Sequence, residues 1–92
     1  FGNPIHVKGY TDNQPIKTSA FPSNWELSAA RAASVVHLFM RKGIEPKRMS
    51  AIGLAEFHPI ADNNTVAGRQ ENRRVVIVIS TLEQEKEEIE VN

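Results

Sequence analysis

Apolar positions recur with a helical period over the longest regular segment of the chain, from Ser23 to Lys42. At about 100° per residue these side chains share one face, which we expect to lie in the core. Ser23 and Glu26 form a capping box at the start, because the hydroxyl and the carboxylate can each accept a free backbone N–H. Gly43 supplies the left-handed residue on which such helices end. The predicted core face consists of Trp25, Ala29, Ala32, Val35, Val36, Phe39 and Met40.

Three shorter segments favour β-strands. They are residues 5–10, a segment near 48–55, and residues 73–80. The last is apolar without interruption from Val75 to Ile79, so we expect both of its faces to be covered. A helical turn is predicted around residues 66–70. The glutamate-rich tail from Thr81 is expected to be either a frayed helix or disordered.

This order of elements predicts an α+β fold, a two-layer sandwich with helices packed on one face of a small mixed sheet. We expect one domain over residues 1–82 and an acidic C-terminal tail over residues 83–92. A single long helix leaves part of a three-stranded sheet uncovered. The pattern therefore suggests that a further strand and helix belong before Ile5.

The net charge of zero hides an uneven distribution. Residues 83–90 carry −4, and residues 1–82 carry +4 in dispersed basic side chains. A nucleic-acid partner is not expected, because nucleic-acid binders usually present a dense basic stripe with stacking aromatic residues. The sequence has no cysteine, which excludes a disulfide framework, a cysteine nucleophile and a cysteine-based zinc site.

The sequence offers no pattern typical of catalysis or metal binding. His6, His37 and His58 lack the spacing of metal ligands. Ser23 is committed to its helix cap, and neither it nor Ser28 has a histidine and an acid nearby in the sequence. We therefore expect a protein that is not an enzyme and that uses no metal or other cofactor.

A set of polar and charged residues does gather where the predicted elements begin or end. Its members are Thr11, Asp12, Arg31, Asn72, Arg73 and Arg74. Two interpretations remain open at this point. In the first, Asp12 and Arg31 pair with each other, and the last two arginines decorate a sheet edge. In the second, the set recognises a zwitterion, because a guanidinium binds a carboxylate bidentately and a carboxylate accepts hydrogen bonds from an ammonium.

Three blocks of the sequence resemble the signature blocks of the OmpA-like peptidoglycan-binding domain. They are GYTDN at 9–13, NWELSAARAASVV at 24–36 and AGRQENRRVVIVI at 67–79. The insertion QPIKTSAFPSNWELS resembles the flagellar-stator branch of the family, the MotB and PomB proteins. The resemblance spans about residues 5–80 and implies the OmpA-like sandwich. In that family a strand and a helix precede the segment that begins here at Ile5.

The resemblance also implies a ligand and the residues that hold it. Asp12 and Arg31 would hold the amino-acid end of diaminopimelate in the peptide stem of peptidoglycan. Asn72 and one of Arg73 or Arg74 would line the same groove. Neighbouring side chains at the start of a strand point to opposite faces, so only one arginine can face the groove, and we favour Arg74. The wall of the groove would be shaped by Thr11, Leu27 and Ser28, and the insertion would wall the groove or meet a partner.

By resemblance, the chain would be a non-catalytic anchor of a flagellar-motor stator unit, in the periplasmic domain of a bacterial inner-membrane protein. The implied partners are peptidoglycan, a second copy of the chain, and an ion-channel stator subunit of the MotA or PomA type. That subunit would be met through a membrane segment outside this sequence. An alternative from another class is a protein–protein or dimerisation module of a cell-envelope complex, in which the same arginines meet acidic partners.

Overall fold

The computed structural model describes residues 2–80 and 86–91 as two helices packed on one mixed sheet. The elements in chain order are β1 (Ile5–Gly9), α1 (Asn24–Arg41), a 3-10 turn (Pro46–Arg48), β2 (Met49–Gly53), α2 (Val66–Asn72), β3 (Val75–Ser80) and β4 (Lys86–Val91). The four strands lie in the order β2-β1-β3-β4. β1 runs parallel to β2, and the other two pairs are antiparallel. The predicted α+β class is confirmed.

The long helix α1 begins and ends where the sequence predicts. The Ser23 hydroxyl accepts from the backbone N–H of Trp25 at 3.2 Å and donates to the Glu26 carboxylate. Lys42 is the C-cap, and Gly43 follows it with φ of 96°. This left-handed backbone is open to glycine at no steric cost.

α1 packs across β1 and β2, with the core between them. Ile5, Val7 and Gly9 are the inward, buried residues of β1. Two glycines allow the helix to come close. A Cβ on Gly9 would lie 2.1 Å from the Ser28 carbonyl oxygen, and one on Gly53 would lie 2.8 Å from the Ser28 hydroxyl. The first turns of α1 are therefore held directly against the ends of both strands.

The helix face in the core differs in part from the prediction. The predicted members that contact the core are Ala32, Val35, Val36 and Phe39. Trp25 and Met40 are instead 51% and 44% exposed, and Ala29 is also exposed. Asn24 and Ser28 take the buried positions in the first two turns. At Ser28 the helix and strand backbones are too close for a large side chain, and the small side chain of Ser28 fits there.

The acidic tail also differs from the prediction. Residues 86–91 form β4, paired antiparallel with β3, rather than a frayed helix or a disordered segment. Ile89 and Val91 alternate with glutamates and lie opposite apolar residues of β3. This period of two fits a strand with one apolar face, but the high glutamate content conceals it. The predicted domain boundary at 82–83 lies outside the described residues.

Candidate functional site

A pocket of about 210 Å³ opens where β1 ends and α1 begins. Its walls come from the loop that follows β1, the first turns of α1, and the segment between α2 and β3. The lining residues are Thr11, Asp12, Gln14, Pro15, Ile16, Asn24, Leu27, Arg31 and Arg73. The fold thus brings Asp12, Arg31 and Arg73 together from three separate parts of the sequence.

Asp12 is the negative group of the pocket and is only 6% exposed. One carboxylate oxygen, Oδ1, accepts from the backbone N–H of Gln14 at 2.9 Å, which is the geometry of an Asx turn. The other, Oδ2, accepts from the Arg73 guanidinium at 2.5 Å. Asp12 therefore pairs with Arg73 rather than with Arg31, so the first sequence interpretation does not describe this fold.

Two guanidinium groups give the pocket an excess of positive charge. Arg31 is half-buried and donates to the Tyr10 carbonyl at 3.3 Å, whereas the Arg73 side chain is 46% exposed. Burial, and after it the nearby charge of Arg73, lower the pKa of Arg31. Both causes disfavour the charged form of Arg31, and a bound anion would oppose them. Guanidinium groups bind carboxylates bidentately, as they do phosphates.

Arg74, favoured from the sequence as the groove-facing arginine, is buried elsewhere. It is 5% exposed and lies over the Tyr10 ring, 3.8 Å from its centroid. Its guanidinium donates to the carbonyls of Asn72 at 3.3 Å and His58 at 3.0 Å. The preference for Arg74 is therefore wrong. The two side chains do point in different directions, Arg73 toward Asp12 and Arg74 toward Tyr10. Neither residue belongs to the strand, since Arg73 is the C-cap of α2 and the strand begins at Val75.

The family model for OmpA matches residues 2–73. The chain belongs to the OmpA family. It is 45% identical over 76 residues to motility protein B of Bacillus subtilis, a match that covers 82% of this chain and 29% of that protein.

Several solved structures share the architecture. The periplasmic domain of Helicobacter pylori MotB has a TM-score of 0.81 and 34% identity, covering 89% of this chain and 51% of that one. The cell wall anchor of the Pseudomonas aeruginosa T6SS has a TM-score of 0.76 and 41% identity, covering 82% of this chain and 52% of that one. The predicted family and its MotB-like branch are confirmed. This chain spans about half the length of these solved relatives.

Asn72, predicted to line the groove of this OmpA-family domain, instead organises a loop. It is fully buried, and its Oδ1 accepts from the backbone N–H groups of Ile60 and Ala61 at 2.8 and 2.9 Å. Its amide nitrogen donates to the Ala61 carbonyl and to the Asn63 side chain. Every polar atom of the Asn72 side chain is thus used within the fold, which leaves none for a ligand.

Ser28, one of the three residues predicted to shape the wall of the groove, also lies away from the pocket. It is fully buried, donates to the Trp25 carbonyl at 3.0 Å, and accepts from the Ala55 N–H at 3.1 Å. Thr11 and Leu27 do line the pocket, as expected. Ser28 therefore positions the start of α1 against the loop after β2.

The insertion supplies the lining residues that the sequence did not single out. Gln14, Pro15 and Ile16 form one wall of the pocket, which agrees with the expectation that the insertion walls the groove. The Asn24 side chain also lines the pocket and donates to the Gln14 carbonyl at 3.1 Å. This bond ties the loop to α1. The length of the insertion indicated a wall, but no local pattern showed which of its residues would turn inward.

Two further observations concern the described ranges, residues 2–80 and 86–91. Within them, no cluster of three His, Asp or Glu side chains is placed to hold a metal ion. Neither helix in these ranges has both the length and the apolar character needed to cross a membrane.

Proposed function

We propose that this chain is a non-catalytic, peptidoglycan-binding anchor of a flagellar-motor stator unit, and that its pocket holds the diaminopimelate of the stem peptide. The observation that carries the proposal is the convergence of Asp12, Arg31 and Arg73 in one small pocket. Similarity to motility protein B and to a T6SS cell wall anchor supports a role at the cell wall.

The chemistry of the pocket suits the side-chain end of diaminopimelate, which carries an ammonium and a carboxylate on one carbon. Arg31 and the exposed part of Arg73 would bind the carboxylate, and Asp12 would accept from the ammonium. The ammonium would replace the Arg73 guanidinium on Asp12, which frees Arg73 for the carboxylate. A volume of about 210 Å³ lies below the roughly 300–1,000 Å³ of drug-sized sites, as expected for the end of one side chain.

A stator role also implies a location and partners for this chain. Similarity to a MotB periplasmic domain supports a periplasmic location for this chain. The stator role would bring it together with a second copy and with an ion-channel subunit of the MotA or PomA type. The binding step needs no proton transfer or nucleophile, so the anchor would hold its ligand without changing it.

Co-sedimentation with purified, protein-free peptidoglycan tests the proposal. Arg31→Ala is compared with Arg41→Ala, which removes the same charge from an exposed position of the same helix. Asp12→Ala is compared with Asp62→Ala, since Asp62 also accepts from a backbone N–H two residues on, at 2.8 Å. We expect only the pocket variants to lose sedimentation. The proposal is contradicted if each control variant loses as much sedimentation as its matched pocket variant, or if the unmodified chain does not sediment with peptidoglycan. Either result would favour the alternative of a protein–protein interaction module.

A further inference from the structure

Two aromatic side chains form an exposed pair outside the pocket. Trp25 is 51% exposed and Phe57 is 60% exposed. Their ring centroids lie 5.4 Å apart, with the ring planes tilted by 34°. Neither residue lines the pocket. Large aromatic rings dominate the energetics of cores and interfaces when they are buried, so a pair left in water points to a ligand that covers it.

The fold holds this pair in place through buried groups. The Ser28 hydroxyl donates to the Trp25 carbonyl and accepts from the Ala55 N–H, so one side chain joins the turn that carries Trp25 to the loop that carries Phe57. Ala55 is fully buried, with φ of 57°, and it is the one non-glycine residue with positive φ in the described ranges. Such backbone strain persists only where the surroundings enforce it.

Ala55 and the first turn of α1 also hold the aromatic pair in a fixed position relative to the pocket. The Ala55 carbonyl accepts from the backbone N–H of Thr11 at 2.9 Å, and Thr11 lines the pocket. Asn24, whose side chain also lines the pocket, directly precedes Trp25. The pair and the pocket therefore share the first turn of α1. A ligand that occupied both would need two chemically different parts, one apolar and one charged.

We propose that Trp25 and Phe57 form a stacking platform for the sugar chain of peptidoglycan, against which a hexosamine ring lies while the stem peptide occupies the pocket. The proposal rests on the proposed function. One face of a pyranose ring presents C–H groups that pack on aromatic faces, and its polar substituents point outward toward water.

The size of the platform favours a sugar over a protein. Each side chain of this type has roughly 150–250 Å² to bury. With about half of each exposed, the pair offers about 200 Å² in all. A stable protein–protein interface needs about 800 Å² on each side. One or two sugar rings cover the smaller area well.

Trp25 is the only tryptophan in the sequence, so its fluorescence reports directly on the platform. The probe is a peptide-free tetrasaccharide of alternating N-acetylglucosamine and N-acetylmuramic acid, and the stem peptide without sugar is titrated separately. We expect the tetrasaccharide to change Trp25 emission saturably, also in Arg31→Ala. Phe57→Ala should weaken tetrasaccharide binding at least tenfold and leave stem-peptide affinity within twofold. Met40→Ala, which removes another exposed apolar side chain from α1, should change neither.

Three results would overturn the platform. The first is a tetrasaccharide that leaves Trp25 emission unchanged while the stem peptide still binds, and this result leaves the pocket proposal standing. The second is tetrasaccharide binding, measured by calorimetry, that survives in both Trp25→Ala and Phe57→Ala. The third is failure of both probes to bind the unmodified chain, which removes the pocket proposal as well.

Discussion

Replacing Arg74 by alanine should destabilise the fold, whereas replacing its neighbour Arg73 should weaken ligand binding. The Arg74 guanidinium makes two hydrogen bonds to carbonyls and lies over the Tyr10 ring. A hydrogen bond with a charged donor contributes about 1.5–3 kcal/mol, and a cation–π contact about 0.5–2 kcal/mol. These contributions are not additive, and removing a buried charge recovers part of its desolvation cost. We expect the free energy of unfolding to fall by about 2–4 kcal/mol.

The cost of removing Arg73 falls mainly on binding. Its side chain is 46% exposed and that of Asp12 is 8% exposed, so the loss of stability should be about 1–2 kcal/mol, more than for a pair with both partners exposed and less than for a fully buried pair. Asp12 keeps its hydrogen bond from the Gln14 N–H in the variant. Loss of one charge-assisted contact to a carboxylate should weaken stem-peptide binding by about 1.5–3 kcal/mol, or about 10- to 150-fold.

Urea denaturation and calorimetric titration of both variants with a diaminopimelate-containing stem peptide measure the two effects separately. Titrations of Arg74→Ala are made at a temperature where it is still folded. The assignment of Arg73 to the pocket fails if Arg74→Ala is as stable as the unmodified chain and has lost the ligand. It also fails if Arg73→Ala binds the stem peptide normally.

Three further predictions concern the fold. Phe39→Ala should lower the free energy of unfolding by about 1–3 kcal/mol and its exposed neighbour Met40→Ala by about 0.5 kcal/mol or less; equal melting temperatures would show that the helix face is misassigned. The Ser23 hydroxyl lowers the pKa of Glu26 below 4.5. The stability that this carboxylate contributes is therefore present above pH 4.5 and is lost as the pH falls through the lowered pKa. Glu26→Gln should flatten this part of the curve of stability against pH, and a curve unchanged by the substitution would contradict the cap. Gly9→Ala should lower the melting temperature, because its Cβ would lie 2.1 Å from a helix carbonyl oxygen, and a normal melting temperature would refute the close approach.

The bounds of α1 were predictable because they depend on local chemistry. Ser23, Glu26 and Gly43 act within one turn of the helix ends, so no knowledge of the remaining fold is needed. The face of the helix was less predictable at its start. Trp25 belongs to the apolar stripe, yet it is half exposed and packs against Phe57 rather than in the core.

Arg73 and Arg74 were predicted to be the first two residues of a strand. Side chains alternate between the two faces of a sheet only within a strand. In the structure α2 continues to Asn72, so Arg73 is a helix cap and Arg74 lies between that cap and the strand, which begins at Val75. The short helix α2 was predicted to end earlier, and its length decides which arginine reaches the pocket. The Asn72 side chain was likewise misassigned, because its loop partners are 9 to 12 residues away in sequence.

The strand β4 was not predicted because the high glutamate content of the tail hid its alternation of apolar and charged residues. Glutamate-rich segments usually remain solvated, and only two apolar residues, Ile89 and Val91, mark the alternation here. The partner that stabilises this strand is the backbone edge of β3, which the tail's own sequence cannot reveal. Asp12 and Arg31, to which the resemblance to the OmpA family pointed, both line the pocket, and each lies in one of the quoted sequence blocks.

Whether the pocket recognises the side-chain carboxylate of diaminopimelate is tested most directly by calorimetric titration of the unmodified chain. Two stem peptides that differ in one group are compared. One carries diaminopimelate, and the other carries lysine, which keeps the side-chain ammonium and lacks the carboxylate. If Arg31 and Arg73 bind that carboxylate, the diaminopimelate peptide should bind at least tenfold more tightly, in keeping with one or more charge-assisted hydrogen bonds. Equal affinity for the two peptides would show that the arginines do not read the carboxylate, and would contradict the claim.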